Sequence, residues 1–278
     1  MISLLAAVWR SPTGRIGFVL VVAILLFAVV GPPLIPHDPT RLDIAARYAA
    51  PNWDHPAGTD ALGRDLLARL AAGGRIALGV ALTTIAIALT VGTFLGVLGG
   101  RAGARVDAAI LVLFDTVASF PSLLFALAAI ALLGPGLGKV VLLVSVTLAP
   151  QFGRVARAQT LTLGGMPYVE AARTVGVGWS RLLLRHVLPN IAGPLIVLAS
   201  MDIPTVITLE AGLSFLGVGV PPPNASWGGL LYDGYVNLDQ SIWPVATSAL
   251  MLVLATLGFT LFGEALRDAA DVTVERAP

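Results

Sequence analysis

The 278-residue chain contains no cysteine, one lysine (Lys139), three histidines and only 12% charged residues. Each scarcity removes a class of protein. Without cysteine there is no disulfide framework, no thiolate metal site and no cysteine nucleophile. Soluble domains carry about 25% charged residues. The low charge here, with 56% hydrophobic residues and a mean hydropathy of +0.88, places the chain in lipid as one polytopic membrane domain. The lone lysine removes a phosphate-binding loop, which needs G-x-x-x-x-G-K-[ST] so that backbone amides cradle the phosphates. Around Lys139, Leu133 stands where the first glycine belongs and Val140 where the hydroxyl belongs, so GPGLGKVV reads as a turn between spans. His37, His55 and His186 are scattered along the sequence and read as no metal site. All three lie outside the apolar runs, which removes a Ser–His pairing and with it an intramembrane hydrolase.

What is present is uncharged length, and about 20 helical residues cross a bilayer core. Residues 76–100 and 241–263 carry no charge, 108–138 carries only Asp115, and 191–220 carries Asp202 and Glu210. Two further spans are read over about 16–35, closed by Gly31-Pro32-Pro33, and about 140–152, the shortest, between Lys139 and Arg154. The expectation is an all-α membrane protein with six transmembrane helices. Residues 1–75 would hold the first helix and an extracytoplasmic segment. Residues 76–278 would hold the core, with a cytoplasmic loop at 154–190. The first apolar run lacks a clear small-residue cleavage site and is expected to remain as a span.

Lys/Arg bias sets orientation. With the N-terminus inside, eleven arginines face the cytoplasm (10, 15, 101, 105, 154, 157, 173, 181, 185, 267 and 276), against six basic residues outside (41, 47, 64, 69, 75 and Lys139). Both termini are therefore expected inside. The outer segment 36–75 fits imperfectly, although five aspartates (38, 43, 54, 60 and 65) accompany its five arginines.

The loop 168–189, YVEAARTVGVGWSRLLLRHVLP, lies between apolar spans. Pro167 suits the first turn of a helix, where its missing N–H has no helical partner. Gly176 can take the left-handed conformation that ends one. The eight residues between them make about 12 Å of helix, enough for a plug and too short for a span. Ser180 is expected to cap a second helix, 181–187, which Pro189 would stop. From residue type alone this is also what an ordinary amphipathic surface loop looks like.

Glu170-Ala171-Ala172, Gly176 and Leu188-Pro189, in that order, resemble the signature loop of ABC-importer permeases. HPAGTDALGRDLLARLAAGGRIAL (55–78), SFPSLLFALA (119–128), EAGLSFLGVGVPPPNASWG (210–228) and GEALRDAAD (263–271) are similar to the C-type subunit of the dipeptide/oligopeptide/nickel branch. The resemblance spans nearly the whole chain. It implies the type I importer permease fold and an inner-membrane location. It also implies a pathway shared with a homologous B-type permease, two separate ATPases and an extracytoplasmic binding protein. By that resemblance Glu170, Ala171, Ala172, Gly176, Leu188 and Pro189 dock on the ATPase. Glu170 in the first turn also suits the helix dipole, and both roles stay open. His186 departs from the general pattern, which has an apolar residue there. No catalytic residue, cofactor or nucleic-acid contact is expected. The rivals are a metal-complex cargo on the same architecture and a stand-alone secondary transporter, although no repeated halves are found.

Acids within membrane spans usually face protein or water. Asp115 precedes Phe120-Pro121, where the proline should kink the third span, and pairing with Arg101 or Arg105 is one expectation. Glu210 is expected near the outer end of the fifth span. Asp202, just before Pro204, has two readings: a hydrogen bond to backbone freed by the proline, or a group lining the pathway. Gly92, Gly96 and Gly100 repeat every four residues, the spacing that lets membrane helices approach closely, with packing inside this chain favoured over a subunit contact. Thr59 or Asp60 is expected to cap a helix over 62–70 lying on the outer face, and Pro221-Pro222-Pro223 with Trp227 marks a rigid outer loop.

Overall fold

A computed structural model describes residues 8–275. Arg276 lies outside them, and the side chains of Glu170, Arg173, Ser180 and 271–275 are likewise outside the described set. Among the described residues the chain is helical, with a single isolated bridge between Thr59 and Asp65 in place of any strand. The helices are α1 (Pro12–Leu34), α2 (Leu66–Arg101), α3 (Ala104–Ala118), α4 (Ser122–Leu133), α5 (Leu137–Gly164), α6 (Pro167–Thr174), α7 (Trp179–Leu182), α8 (Leu188–Phe215), α9 (Trp227–Val236) and α10 (Trp243–Glu275). Five are long and apolar enough to cross a bilayer: α1, α2, α5, α10, and α8 together with the turn before it. α3 and α4 form a pair bent by 83°. The expected third span is therefore a broken one. Pro121 lacks the N–H that would continue α3 and becomes the cap residue from which α4 starts.

Packing directions make that pair one crossing. A Cβ at Gly92 would lie 2.3 Å from the Ala149 oxygen, one at Gly96 2.1 Å from the Gly153 oxygen, and one at Gly100 3.1 Å from Thr160 Cβ. Both series advance together, so α2 and α5 run parallel, and the chain between them must return once across the membrane. The glycine repeat thus serves packing within this chain. Ser145 adds a hydroxyl bond to the Thr84 carbonyl at 3.1 Å. α1 and α10 pack antiparallel through Gly14 against Ala265 and Gly17 against Leu261–Phe262. By this connectivity α6, the start of α1 and the end of α10 lie at one end of the bundle, and segment 35–65, α9 and the start of α10 at the other.

α2 begins at Asp65, whose carboxylate accepts the Ala68 amide at 2.7 Å, and runs unbroken into the membrane. The expected separate surface helix over 62–70 does not form, and the division placed at residue 75 falls inside α2. Asp60 and Thr59 do not cap it. The Asp60 carboxylate accepts the Leu62 and Arg64 amides and the Arg64 guanidinium, while Thr59 ties Ala46 to Ala49. Gly31-Pro32-Pro33 lies in the last turn of α1, which ends at Leu34, as the sequence indicates.

The outer loop expected around Trp227 contains α9. Ser226 caps it, and the fully buried Trp227 indole donates to the Leu70 carbonyl at 2.8 Å. Gly74 makes the room, since a Cβ there would sit 2.8 Å from the indole ring.

Candidate functional site

The loop 165–178 joins the end of α5 to the start of α7 and carries α6, the short helix the sequence outlines. Pro167 is its first residue and Thr174 its last. Gly176 sits at φ +80°, and the Val177 amide reaches back to the Ala172 carbonyl at 3.0 Å. That bond closes the helix end through a left-handed glycine. One side of α6 holds to the bundle through buried Val169 and half-buried Ala172. Ala171, Thr174 and Val175 remain exposed, Val175 at 83%. An apolar side chain presented this way at the tip of a loop is what a partner's groove would cover.

Leu188 and Pro189 do not join α6. They form the root of α8, with Leu188 packed on the core and Pro189 exposed. The expected stop at Pro189 does not occur. Leu183–Val187 winds as one π turn, the Leu188 amide reaching the Leu183 carbonyl, and the chain passes continuously from α7 into α8. A wide turn accommodates the residue whose amide is missing. The Asn190 side chain donates to the His186 carbonyl at 2.6 Å.

Two aromatic contacts tie the loop to the bundle. The Tyr168 and His186 rings lie 5.9 Å apart, so His186 joins α6 to the π turn. The Arg101 guanidinium lies over Trp179 at 4.4 Å, joining the end of α2 to α7. Reasoning from sequence missed both, although an aromatic at each edge of the loop was a usable signal. Beside Trp179 an apolar groove of about 640 Å³ opens between α2 and α8, lined by Phe94, Leu98, Leu183, Leu188 and Ile191 among others.

The membrane acids have specific partners. Asp115 pairs with Arg154 of α5 at 3.0 Å, not with Arg101 or Arg105, because α5 lies alongside α3. Arg157 pairs with Asp107 in the same contact. Asp202 is buried and faces the Gln151 side chain of α5, and its Oδ2 has no hydrogen-bond partner among the described residues. The expected bond from Asp202 to freed backbone is not the contact seen. Glu210, near the end of α8, accepts the Ser214 hydroxyl at 2.7 Å, and that hydroxyl accepts the Val220 amide, stapling the turn after α8. Lys139 donates to the Leu133 and Gly134 carbonyls and so closes the α4–α5 turn.

At the opposite end the histidines are not all scattered. The His37 and His55 rings lie 4.8 Å apart, tilted by 42°, and both Nδ1 atoms face Asp65 Oδ2, at 3.9 and 2.8 Å. Two of the three histidines the sequence reads as scattered are thus neighbours, because segment 36–65 folds back over the start of α2. Nearby, the Thr40 hydroxyl and amide donate to Asp38 Oδ1 at 2.6 and 2.7 Å and hold that carboxyl below its ordinary range.

A helical bundle with five candidate membrane spans and a bent pair that makes a sixth, and with a short exposed helix on an interhelical loop, is the architecture of a polytopic membrane-embedded subunit. Residues 88–275 match the model of the binding-protein-dependent transport system inner membrane component, and residues 4–51 that of the N-terminal TM domain of oligopeptide transport permease C. The chain belongs to this family of ABC-importer permeases. It is 37% identical over 261 residues to a probable D,D-dipeptide transport system permease protein of Escherichia coli, covering 94% of this chain and 88% of that one. A di/tripeptide transport system permease of Pseudomonas aeruginosa is 36% identical over 279 residues, covering 97% and 92%. An oligopeptide transport system permease of Haemophilus influenzae is 34% identical over 265 residues, covering 95% and 85%. Among solved structures, the inward-facing MetNI methionine ABC transporter superposes with a TM-score of 0.54 at 19% identity, over 74% of this chain and 95% of that one. The fold is that of type I ABC importer permeases.

Proposed function

We propose that this chain forms half of the translocation pathway of an ATP-driven importer of di- and oligopeptides. Beside it stands a homologous B-type permease. An ATPase subunit receives α6, a second ATPase serves the other half, and a binding protein delivers cargo at the opposite end. On this reading the α6 end and both termini are cytoplasmic, in the bacterial inner membrane. The supporting observation is α6 itself: eight residues, closed by Gly176, anchored through Val169 and exposed at Val175. A rigid plug so placed transmits a partner's movement to α5, α7 and α8 without a large interface. Relatives named for dipeptides and oligopeptides supply the cargo class.

Asp202 belongs to the same reading as a pathway group. It lies on α8, the helix after the docking loop, and the Gln151 side chain it faces is exposed. Separation of α5 from α8 during transport uncovers it, and a carboxylate there favours cargo bearing an amine.

The test is co-purification and reconstitution with candidate ATPases and the binding protein. ATP hydrolysis stimulated by the loaded binding protein, together with vesicle uptake, is the expected result. Saturable nucleotide binding by the purified chain alone overturns the reading.

A further inference from the structure

We propose that His37, His55 and Asp65 form a binding site for a divalent first-row metal ion of the zinc type, which fastens segment 36–65 to the start of α2. One ligand atom from each of the three residues lies within 4.8 Å of the others. Zn–N and Zn–O bonds of about 2.0–2.2 Å place tetrahedral donors roughly 3.3–3.5 Å apart. The two Nδ1–Oδ2 separations, 2.8 and 3.9 Å, bracket that value. Shifts of about half an ångström bring each Nδ1–Oδ2 separation to that value, and the two imidazole nitrogens, within 4.8 Å of each other, must also draw together around the ion.

The donors are held in place by their own partners. Asp65 Oδ1 accepts the Ala68 amide at 2.7 Å, which fixes the carboxylate with Oδ2 turned to the rings. The His55 amide donates to Asn52 Oδ1 at 2.9 Å, and the His55 carbonyl accepts the Gly58 amide at 2.9 Å. The Ala68 bond orients the ligating carboxylate itself, as outer partners of metal ligands do, while the Asn52 and Gly58 bonds fix the His55 backbone. The Asp65 side chain is 1% exposed and His55 15%, while His37 at 35% leaves a side open. The cavity there, about 200 Å³, is also lined by Asp38, Asp43 and Arg41. Three carboxylates against one guanidinium favour a cation. Two imidazoles with one carboxylate suit zinc, nickel or copper rather than magnesium or calcium. Three protein donors leave room for water as the fourth.

The consequence is mechanical. The three donors come from the stretch after α1, the loop at 52–58 and the first cap of α2, so one ion clips all three. The site is a resident one and is independent of the importer reading: its failure leaves that reading untouched, and the converse holds.

The full chain, purified without a histidine tag in detergent, is titrated with Zn²⁺ and with Co²⁺, whose visible absorption reports coordination. Saturable one-to-one binding and a metal-dependent rise in melting temperature are expected. Altering an outer partner alone costs roughly 10–100-fold in affinity, so losing a ligand in His37→Ala costs about tenfold or more and removes the melting shift. His186→Ala keeps both. His55→Ala can weaken folding through its bond to Asp65, so His37→Ala, whose metal-free melting is expected to match the parent, is the decisive variant. No saturable binding, or binding unchanged in His37→Ala, overturns the proposal.

Discussion

The guanidinium of Arg101 lies 4.4 Å from the centre of the Trp179 ring, so the last residue of α2 is held against the first residue of α7. Movement of the loop that carries α6 and α7 therefore has a direct route into the helix that also packs on α5 and α8. A cation–π contact at an exposed site contributes about 0.5–1 kcal/mol, too little to decide folding. In Trp179→Leu the yield of assembled complex is expected to stay within error, while binding-protein-stimulated hydrolysis falls. Trp179→Phe should recover most of it. Full stimulation in Trp179→Leu would show that the joint carries no coupling.

Gly176 tests the end of α6. At φ +80° a side chain is strained, although no atom lies within 4 Å of a Cβ built there. The penalty is purely backbone, about 1–2 kcal/mol, and larger for a β-branched residue. Gly176→Val is expected to insert normally and to lose stimulated hydrolysis and uptake. Gly176→Asn should fall between it and the parent. Loss of the whole chain from the membrane would assign the glycine to folding instead.

Gly92 and Gly96 test the α2–α5 contact. Added methyl groups would meet backbone oxygens at 2.3 and 2.1 Å, which cannot swing aside as a flexible side chain can. Overpacking of this kind costs typically 1–3 kcal/mol. Gly96→Ala should lower both yield and melting temperature. Gly79→Ala on the same helix, with nothing within 4 Å, should leave both unchanged. Equal behaviour of the two variants would mean the helices do not pack as described.

Asp202 offers a probe because the background has no cysteine. Asp202→Cys is expected to resist small polar thiol reagents in the resting complex, where the site is buried against α5. Labelling should appear when the complex is trapped with nucleotide. Protection in both states would remove Asp202 from the pathway and leave it as an interhelical contact. Asp202→Asn should fold at least as well, since an amide costs less to bury than an unpaired carboxylate.

The short helix α6 was legible in the sequence to within a residue, as 168–175 against the observed Pro167–Thr174, because Pro167 and Gly176 act through local backbone geometry alone. The broken third span was half legible. Phe120-Pro121 marks the break, but an 83° bend depends on what α5 and α8 leave room for. The fate of Pro189 was misread for a related reason. A proline ends a helix when nothing compensates, and here a π turn and the Asn190 side chain do. Segment 55–70 misled most. Thr59, Asp60 and Asp65 are equally good caps in sequence, and only the fold shows that Asp65 meets the helix while the other two tie the loop.

By itself the sequence determined the membrane class, the long spans, the missing phosphate loop and the short helix α6 with its family resemblance. All of these rest on composition, uncharged length or turn chemistry within a few residues. Only the tertiary structure decided that Gly92 and Gly96 face Ala149 and Gly153, that Asp115 meets Arg154 and Arg101 meets Trp179, and that His37 and His55 converge on Asp65. Those pairs lie between 10 and about 80 residues apart, and their meeting depends on helix direction and loop path, which no local pattern encodes.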